Sequence, residues 1–175
     1  MIISISGNAG SGKTTVAKIL ANKLNYEFIS IGNIRRKIAN DLNIDIYQLN
    51  NDSIKNTKFD TKVDNFQKLL NYNNNIILDS RLGFYFQPKS DKIFLKVNNN
   101  IAAKRRFENQ TPSEQYKTIK EALSKIKERD FNDELRYKKL YGISHFNLNN
   151  YDLIINTSYS NINEIIEKIY NHIKN

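Results

Sequence analysis

Residues 7–14, Gly7-Asn8-Ala9-Gly10-Ser11-Gly12-Lys13-Thr14, satisfy the pattern GxxxxGK[ST] at every fixed position. The run lies between an apolar opening, MIISIS, and TTVAKILANKL, whose apolar residues recur at three- and four-residue spacing. A buried strand, a glycine-rich turn and an amphipathic helix are expected in that order. The residue types have a physical reason. Glycines let the backbone curl so that successive N–H groups point inward at an anion, and the following helix N-terminus adds its dipole. Lys13 can reach the β- and γ-phosphates of a nucleotide, and the Thr14 hydroxyl can sit on Mg²⁺. Gly7, Asn8, Ala9, Gly10, Ser11, Gly12, Lys13, Thr14 and Thr15 are the expected ligands of ATP phosphates. A chance match in a chain this long is expected on the order of once per hundred proteins.

The same rhythm continues. YEFISI reads as a second short strand, and Gly32 leads into a helix, NIRRKIANDL. Asp45 to Asn56 is polar and irregular, and TKFDTKVDNFQKLLNY is a helix with Phe59, Val63, Phe66 and Leu70 on one side. IILD is a strand ending in Asp79, a candidate to hold Mg²⁺ through water. RLGFYFQPKSD reads as a connection, KIFLKV as a strand, and NNNIAAKRRFEN as the start of a helix. Thr111-Pro112-Ser113 opens a long charged helix that stops near Gly142. YDLIINTS is the last strand and NINEIIEKIYNHIKN an amphipathic closing helix. Short apolar strands alternating with helices imply a parallel sheet covered on both faces. No repeat and no Gly-, Ser- or Pro-rich linker divides the chain, so one domain over residues 1–175 is expected.

Arginine is more informative than the total charge. Of 27 basic residues only seven are arginine: Arg35, Arg36, Arg81, Arg105, Arg106, Arg129 and Arg136. In so lysine-biased a chain, arginine belongs where a planar, two-pronged donor cannot be replaced. Arg36 follows the second strand and Arg81 follows Asp79, so both belong at the carboxyl ends of strands, where open α/β sheets bind ligands. Arg129, Asp133 and Arg136 stand at i, i+4 and i+7 and share one helix face, either as a surface ion pair or as part of a site. An acceptor that is itself a phosphate explains so many guanidinium groups, because donor and acceptor both bring negative charge. Transfer between phosphates runs on positioning and electrostatics without a strong general base.

Other classes recede. The base-reading NKxD of a switch GTPase is absent. With no cysteine, disulfides and thiolate metal sites are excluded, and two histidines, His145 and His172, argue against a histidine metal site. No apolar run approaches the roughly 20 residues of a membrane span, and MIISIS lacks the features of a signal peptide. A cytoplasmic protein is the expectation. The net charge of +9 could suggest nucleic acid. The chain is crowded with Asn, Lys, Ile and Tyr, which AT-rich coding favours, and lysine is spread evenly, which argues against a nucleic-acid surface.

With these residues in view, the chain resembles the short-chain, archaeal-type cytidylate kinases and their bacterial relatives, a family of phosphate-loop nucleoside monophosphate kinases. ISGNAGSGKTTVAKILANKL matches the family's opening, SIGNIRRKIA its strand-turn-helix, and LDSRLG its D/E-G-R-x-x-G element. FDTKVDNFQ resembles a segment with two acids four apart, and KRRF the start of the lid. KIKERDFNDELRYKKLYGI resembles the most distinctive segment, and YDLIINTS the last strand. Ser80 stands where the family commonly has glycine, and Phe131-Asn132 where charged residues are common.

The resemblance implies a three-layer α/β phosphate-loop fold with a parallel five-stranded sheet ordered 2-3-1-4-5. It implies an acceptor-binding insertion over about 33–74 and a helical lid over about 104–140. It also implies phosphorylation of CMP or dCMP by ATP with Mg²⁺; a monomer is a separate expectation, not one the resemblance carries. In that reading Lys13 bridges the transferring group, Thr14 and Asp79 hold the metal, and Arg36, Arg81, Arg129 and Arg136 clamp acceptor and transition state. Asp133 orients an arginine or the sugar, and Arg105 contacts ATP from the lid, with Arg106 the second candidate. A carboxylate can accept from the cytosine amino group, so Asp60 or Asp64 would favour CMP over UMP. A kinase of another nucleotide or small metabolite, and a basic nucleic-acid-binding protein, are the alternatives left open.

Overall fold

The opening apolar run forms β1 (Ile2–Gly7), buried along its whole length, in the middle of a five-stranded parallel sheet ordered β2-β3-β1-β4-β5. The protein is seen here in a computed structural model, which describes residues 1–44, 48–49, 58–111 and 114–174. β1 leads through the glycine-rich turn into α1 (Lys13–Leu24), followed by β2 (Glu27–Ser30) and α2 (Ile31–Asp41). Next come α3 (Lys58–Lys68), β3 (Ile76–Asp79), the short α4 (Gly83–Phe86) and β4 (Asp91–Lys96). α5 (Asn99–Glu108), α6 (Ile119–Tyr141), β5 (Leu153–Asn156) and α7 (Ile162–Lys174) complete the chain. The strand order is the one the family resemblance implies.

Both faces of the sheet are covered. On one, Val16, Ala17 and Leu20 of α1 pack with Ile165, Ile166 and Ile169 of α7 against Ile3, Ile5, Ile77 and Ile93. Fully burying each valine, leucine or isoleucine among them contributes roughly 1.5–3 kcal/mol. On the other, Phe84 and Phe86 of α4 meet Phe94, Tyr137 and Tyr151. Register places function. Asp79 pairs with Ile5 and with Ser30 across neighbouring strands, so Asp79 and Ser30 end their strands beside the turn that follows β1. No described helix is long and apolar enough to cross a membrane.

Several boundaries differ from the sequence reading. Gly32 lies inside the first turn of α2, because Ser30 caps the helix and its Oγ accepts from Asn33 N–H at 3.4 Å. The connection after Asp79 contains α4, whose apolar residues bury against the sheet. The charged helix starts at Ile119, six residues later than Ser113. Gln110 clamps both backbone groups of Tyr116, at 2.9 and 3.1 Å, and Thr118 then caps the helix by accepting from Glu121 N–H. The irregular segment expected over Asp45–Asn56 lies outside the described residues apart from Gln48 and Leu49, as do Pro112, Ser113 and the Phe59 side chain.

α3 is the most instructive difference. Val63 is buried as expected, but Phe66 is 41% exposed and Gln67 only 2%. The inward stripe is Asp60, Val63, Asp64 and Gln67, at i, i+3, i+4 and i+7. Polar residues fill it because each inward carboxylate or amide finds a partner from another element.

Candidate active site

A cavity of about 730 Å³ opens at the carboxyl ends of the strands, and all seven arginines of the chain line it, whereas the only described lysine on its wall is Lys13. The turn after β1 forms one end. Gly7 (φ 146°) runs so close to β4 that a Cβ would lie 2.1 Å from the Leu95 carbonyl oxygen, so only glycine fits there. The Lys13 ammonium donates to the carbonyls of Gly7 and Asn8 at 3.1 and 2.9 Å. Burial, with the Arg81 cation close by, lowers its pKa to about 7, against the pull of Asp79 and Asp130.

Thr14 Oγ1 and Ser30 Oγ both donate to Asp79 Oδ2, at 2.7 and 2.9 Å. A hydroxyl beside a strand-end carboxylate is an all-oxygen set, which suits Mg²⁺ held by few protein groups together with phosphate oxygens and water. Among the described residues no cluster of three or more His, Cys, Asp or Glu could hold a metal alone. The donor set therefore fits a metal that arrives with a nucleotide.

α6 delivers a charged face to the middle of the cavity. Arg129, Asp133 and Arg136 do share it, but the pairs they make are not the i,i+4 pair their spacing allows. Arg129 Nη1 bonds Glu114 Oε1 at 2.8 Å. Asp133 takes Arg136 Nη2 at 2.9 Å and Arg81 Nε at 3.0 Å. Burial opposes ionisation of Asp133, yet Arg81 and Arg136 outweigh it and hold the carboxyl well below the usual range. Asp130 accepts from Ala9 N–H at 3.2 Å and from Arg81 Nη1 at 2.9 Å. The Ala9 amide, expected among the phosphate ligands, is thus bonded to a carboxylate of α6.

The far end is built by α2, α3 and the end of α6. Arg35, rather than its neighbour Arg36, makes the buried ion pair with Asp60, and Asp60 Oδ2 is buried without a hydrogen-bond partner among the described residues. Asp64 accepts from Tyr141 OH. Burial pushes its carboxyl up, against the hydroxyl's pull, and the Asp60 charge adds to the rise. Ser80 Oγ donates to Gln67 Oε1 at 2.5 Å, which gives this serine a bridging role between β3 and α3. Arg36, half-buried, donates to Asn33 Oδ1 at 2.6 Å.

Over the cavity, Arg105 Nη2 donates to the Thr157 carbonyl at 2.6 Å. Arg106 and Arg129 converge on Glu114, whose side chain is 4% exposed. Burial raises the cost of that charge, but Arg129 and Arg106 more than offset it and lower its pKa.

Asp130, Glu114, Arg35, Gln67 and Tyr141 were not singled out as site residues in the sequence. Arg35 could have been found from the rarity of arginine, and Asp130 from standing next to Arg129 in the KERD run. Nothing local marks Glu114.

The profile of the cytidylate kinase-like family matches residues 2–159. A cytidylate kinase of Sulfolobus acidocaldarius is 38% identical over 162 residues, 91% of this chain and 86% of its own length. One from Methanosphaera stadtmanae is 33% identical, over 100% of this chain and 99% of its own. Among solved structures, a shikimate kinase from Bacteroides thetaiotaomicron superposes with a TM-score of 0.65 at 17% identity, covering 100% of this chain and 99% of its own. At that identity the likeness speaks for the fold, that of a phosphate-loop kinase.

Proposed function

The chain belongs to the cytidylate kinase-like family, and from that premise we propose that it transfers the γ-phosphate of ATP to CMP or dCMP, with Mg²⁺, giving ADP and the nucleoside diphosphate. An acceptor phosphate oxygen forms the new bond to the γ-phosphorus, and the bond to the β,γ-bridging oxygen breaks, so ADP leaves. Residues Gly7 to Thr15 take the ATP phosphates, and Lys13 follows the transferring group. Thr14 and Asp79 would hold the metal, which when bound neutralises charge on the β- and γ-oxygens. Arg36, Arg81, Arg129 and Arg136 grip acceptor and transferring phosphates, with Asp133 holding two of them in place. Arg105 is the lid's contact to ATP. In this reading the segment about 33–74 receives the acceptor and about 104–140 is the lid that excludes water.

The observation that carries the choice of acceptor is Asp60 Oδ2, a buried oxygen with no hydrogen-bond partner among the described residues, in a side chain that lines the cavity. A buried acceptor calls for an N–H from the ligand. The 4-amino group of cytosine supplies one, whereas the O4 of uracil would set a second acceptor against it, an unpaired contact that discriminates strongly. Of the two acids on α3, Asp64 has a partner on each oxygen, Tyr141 OH and Gln67 Nε2, whereas Asp60 keeps one oxygen without a partner among the described residues, so Asp60 is the base reader.

ADP release from Mg-ATP is to be measured with CMP, dCMP, UMP, AMP, GMP and no acceptor. Stimulation by CMP or dCMP is expected. Stimulation only by another nucleotide would keep the transfer chemistry and move the specificity. No stimulation by any of them would point to a different phosphate acceptor. Asp60→Asn, which can donate to O4, should lower the CMP-over-UMP ratio of kcat/KM by about 100-fold or more.

A further inference from the structure

Arg81 follows β3 and faces the charged stretch of α6, and its nitrogens are almost fully committed. Nε forms an ion pair with Asp133 Oδ2 at 3.0 Å, and Nη1 reaches both Asp130 Oδ1, at 2.9 Å, and Nε2 of His145, at 3.2 Å. A guanidinium nitrogen of this kind has two N–H groups, so Nη1 is used up. Nη2 has no hydrogen-bond partner among the described residues, and Arg81 lines the cavity.

His145 is fully buried, and it is not part of the cavity wall. Because Arg81 can only donate, Nε2 must accept and the proton must sit on Nδ1, which donates to Glu134 Oε2 at 3.0 Å. Burial, with the Arg81 cation next, lowers the imidazole pKa to about 3, so it is neutral at working pH. The ring is held from every side. Gly142 (φ 69°) ends α6 in the left-handed conformation and turns the chain back on the helix. Tyr151 OH donates to the His145 carbonyl at 2.7 Å. Tyr137 meets the ring edge-on at 5.2 Å between centroids, and Phe146 lies 3.9 Å away. The Arg81 carbonyl is tied to β1 by Ser6 Oγ at 3.0 Å.

We propose that His145 is a positioning residue for phosphoryl transfer: as a neutral acceptor it takes the second N–H of Arg81 Nη1, so that Arg81 presents Nη2 alone to the transferring phosphoryl group. Without that acceptor a buried N–H is unsatisfied, and the guanidinium gains by turning Nη1 toward the ligand. The proposal rests on the phosphoryl-transfer reading but not on the choice of base.

Two variants and one spectrum test it. In His145→Gln the amide can accept from Arg81 and donate to Glu134 with nearly the spacing of the imidazole nitrogens, whereas His145→Phe fills the space with no acceptor. His145→Phe is expected to lower kcat/KM for CMP by about tenfold or more, with KM for Mg-ATP within about twofold. His145→Gln should recover most of the loss. A loss of folded protein alone would change neither KM. A His145→Phe enzyme with wild-type kcat/KM for CMP, or a His145→Gln enzyme as impaired as it, overturns the proposal. Should His145→Phe fail to fold, nitrogen spectra of ¹⁵N-histidine wild-type protein decide, with His145→Gln assigning the signal. Protonated Nδ1 and bare Nε2 are expected at every pH from 5 to 8, and a protonated Nε2 rules out the acceptor role. If none of these nucleotides stimulates the wild-type enzyme, the choice of acceptor fails on that result, while the spectrum still tests the tautomer on which the acceptor role of His145 depends.

Discussion

Binding of Mg-ATP should draw a proton onto Lys13, and the size of the effect follows from the site. In the free protein burial and the Arg81 cation lower the ammonium from 10.5 to about 7. That difference, 10.5 − 7 = 3.5, corresponds to about 5 kcal/mol against the charged form, an upper bound because the cavity gives the side chain some access to water. Phosphate oxygens beside the ammonium reverse the balance and restore a value near or above the ordinary one. At pH 8 only about a tenth of free Lys13 is protonated, so binding takes up about 0.9 proton; at pH 6 it takes up about 0.1. Uptake on binding means that affinity falls as pH rises, by about tenfold between pH 6 and 8. Titration calorimetry at pH 8 without acceptor, in buffers of different ionisation enthalpy, reads the uptake as the slope of apparent enthalpy against buffer enthalpy. A slope near zero at pH 8, with ATP bound, would show that Lys13 is already charged in the free enzyme and refute the reasoning.

Two further outcomes concern the scaffold. Gly7→Ala sets a Cβ against the Leu95 carbonyl oxygen at 2.1 Å and should cost more than about 2 kcal/mol in denaturant unfolding; an unchanged midpoint would contradict the close approach. Asp133→Ala leaves the buried guanidiniums of Arg81 and Arg136 short of a counter-charge, so a loss of about 3–5 kcal/mol is expected at neutral pH. Because the Asp133 carboxyl is held below its ordinary range, its contribution is full above about pH 4 and lost as pH falls through the lower folded value. Wild type and variant should therefore converge in acid, and a constant gap down to pH 2 would deny the ion-pair origin.

The elements that were legible in the sequence are those whose conformation is decided locally. β1, the phosphate-binding turn and α1 announce themselves through apolar spacing and glycine placement. Asp79 was picked out because a carboxylate ending an apolar strand is locally conspicuous. The rarity of arginine marked the site, and all seven guanidiniums do converge on one cavity. On α3 and just beyond it the apolar spacing places Val63 and Leu70 against the core but fails at Phe66, which is exposed, because apolar periodicity assumes that the buried face is apolar. Here Asp60, Asp64 and Gln67 are buried, each against a partner that lies elsewhere in the chain. The start of α6 was misplaced for a related reason: Gln110 clamps Tyr116 through two hydrogen bonds, which helix propensity does not reveal.

By itself the sequence determined the alternation of strands and helices, the anion-binding turn and the set of arginines, since these depend on residue type and spacing over a few turns of chain. Only the tertiary structure decided which carboxylate holds which guanidinium. Arg129, four residues from Asp133, pairs instead with Glu114, while Asp133 serves Arg81 and Arg136. Arg81 meets Asp130 across 49 residues and His145 across 64. A buried charge takes the partner that the packed elements bring within about 3 Å, because left unpaired it would carry its desolvation cost uncompensated, and that distance is a property of the assembled sheet and helices.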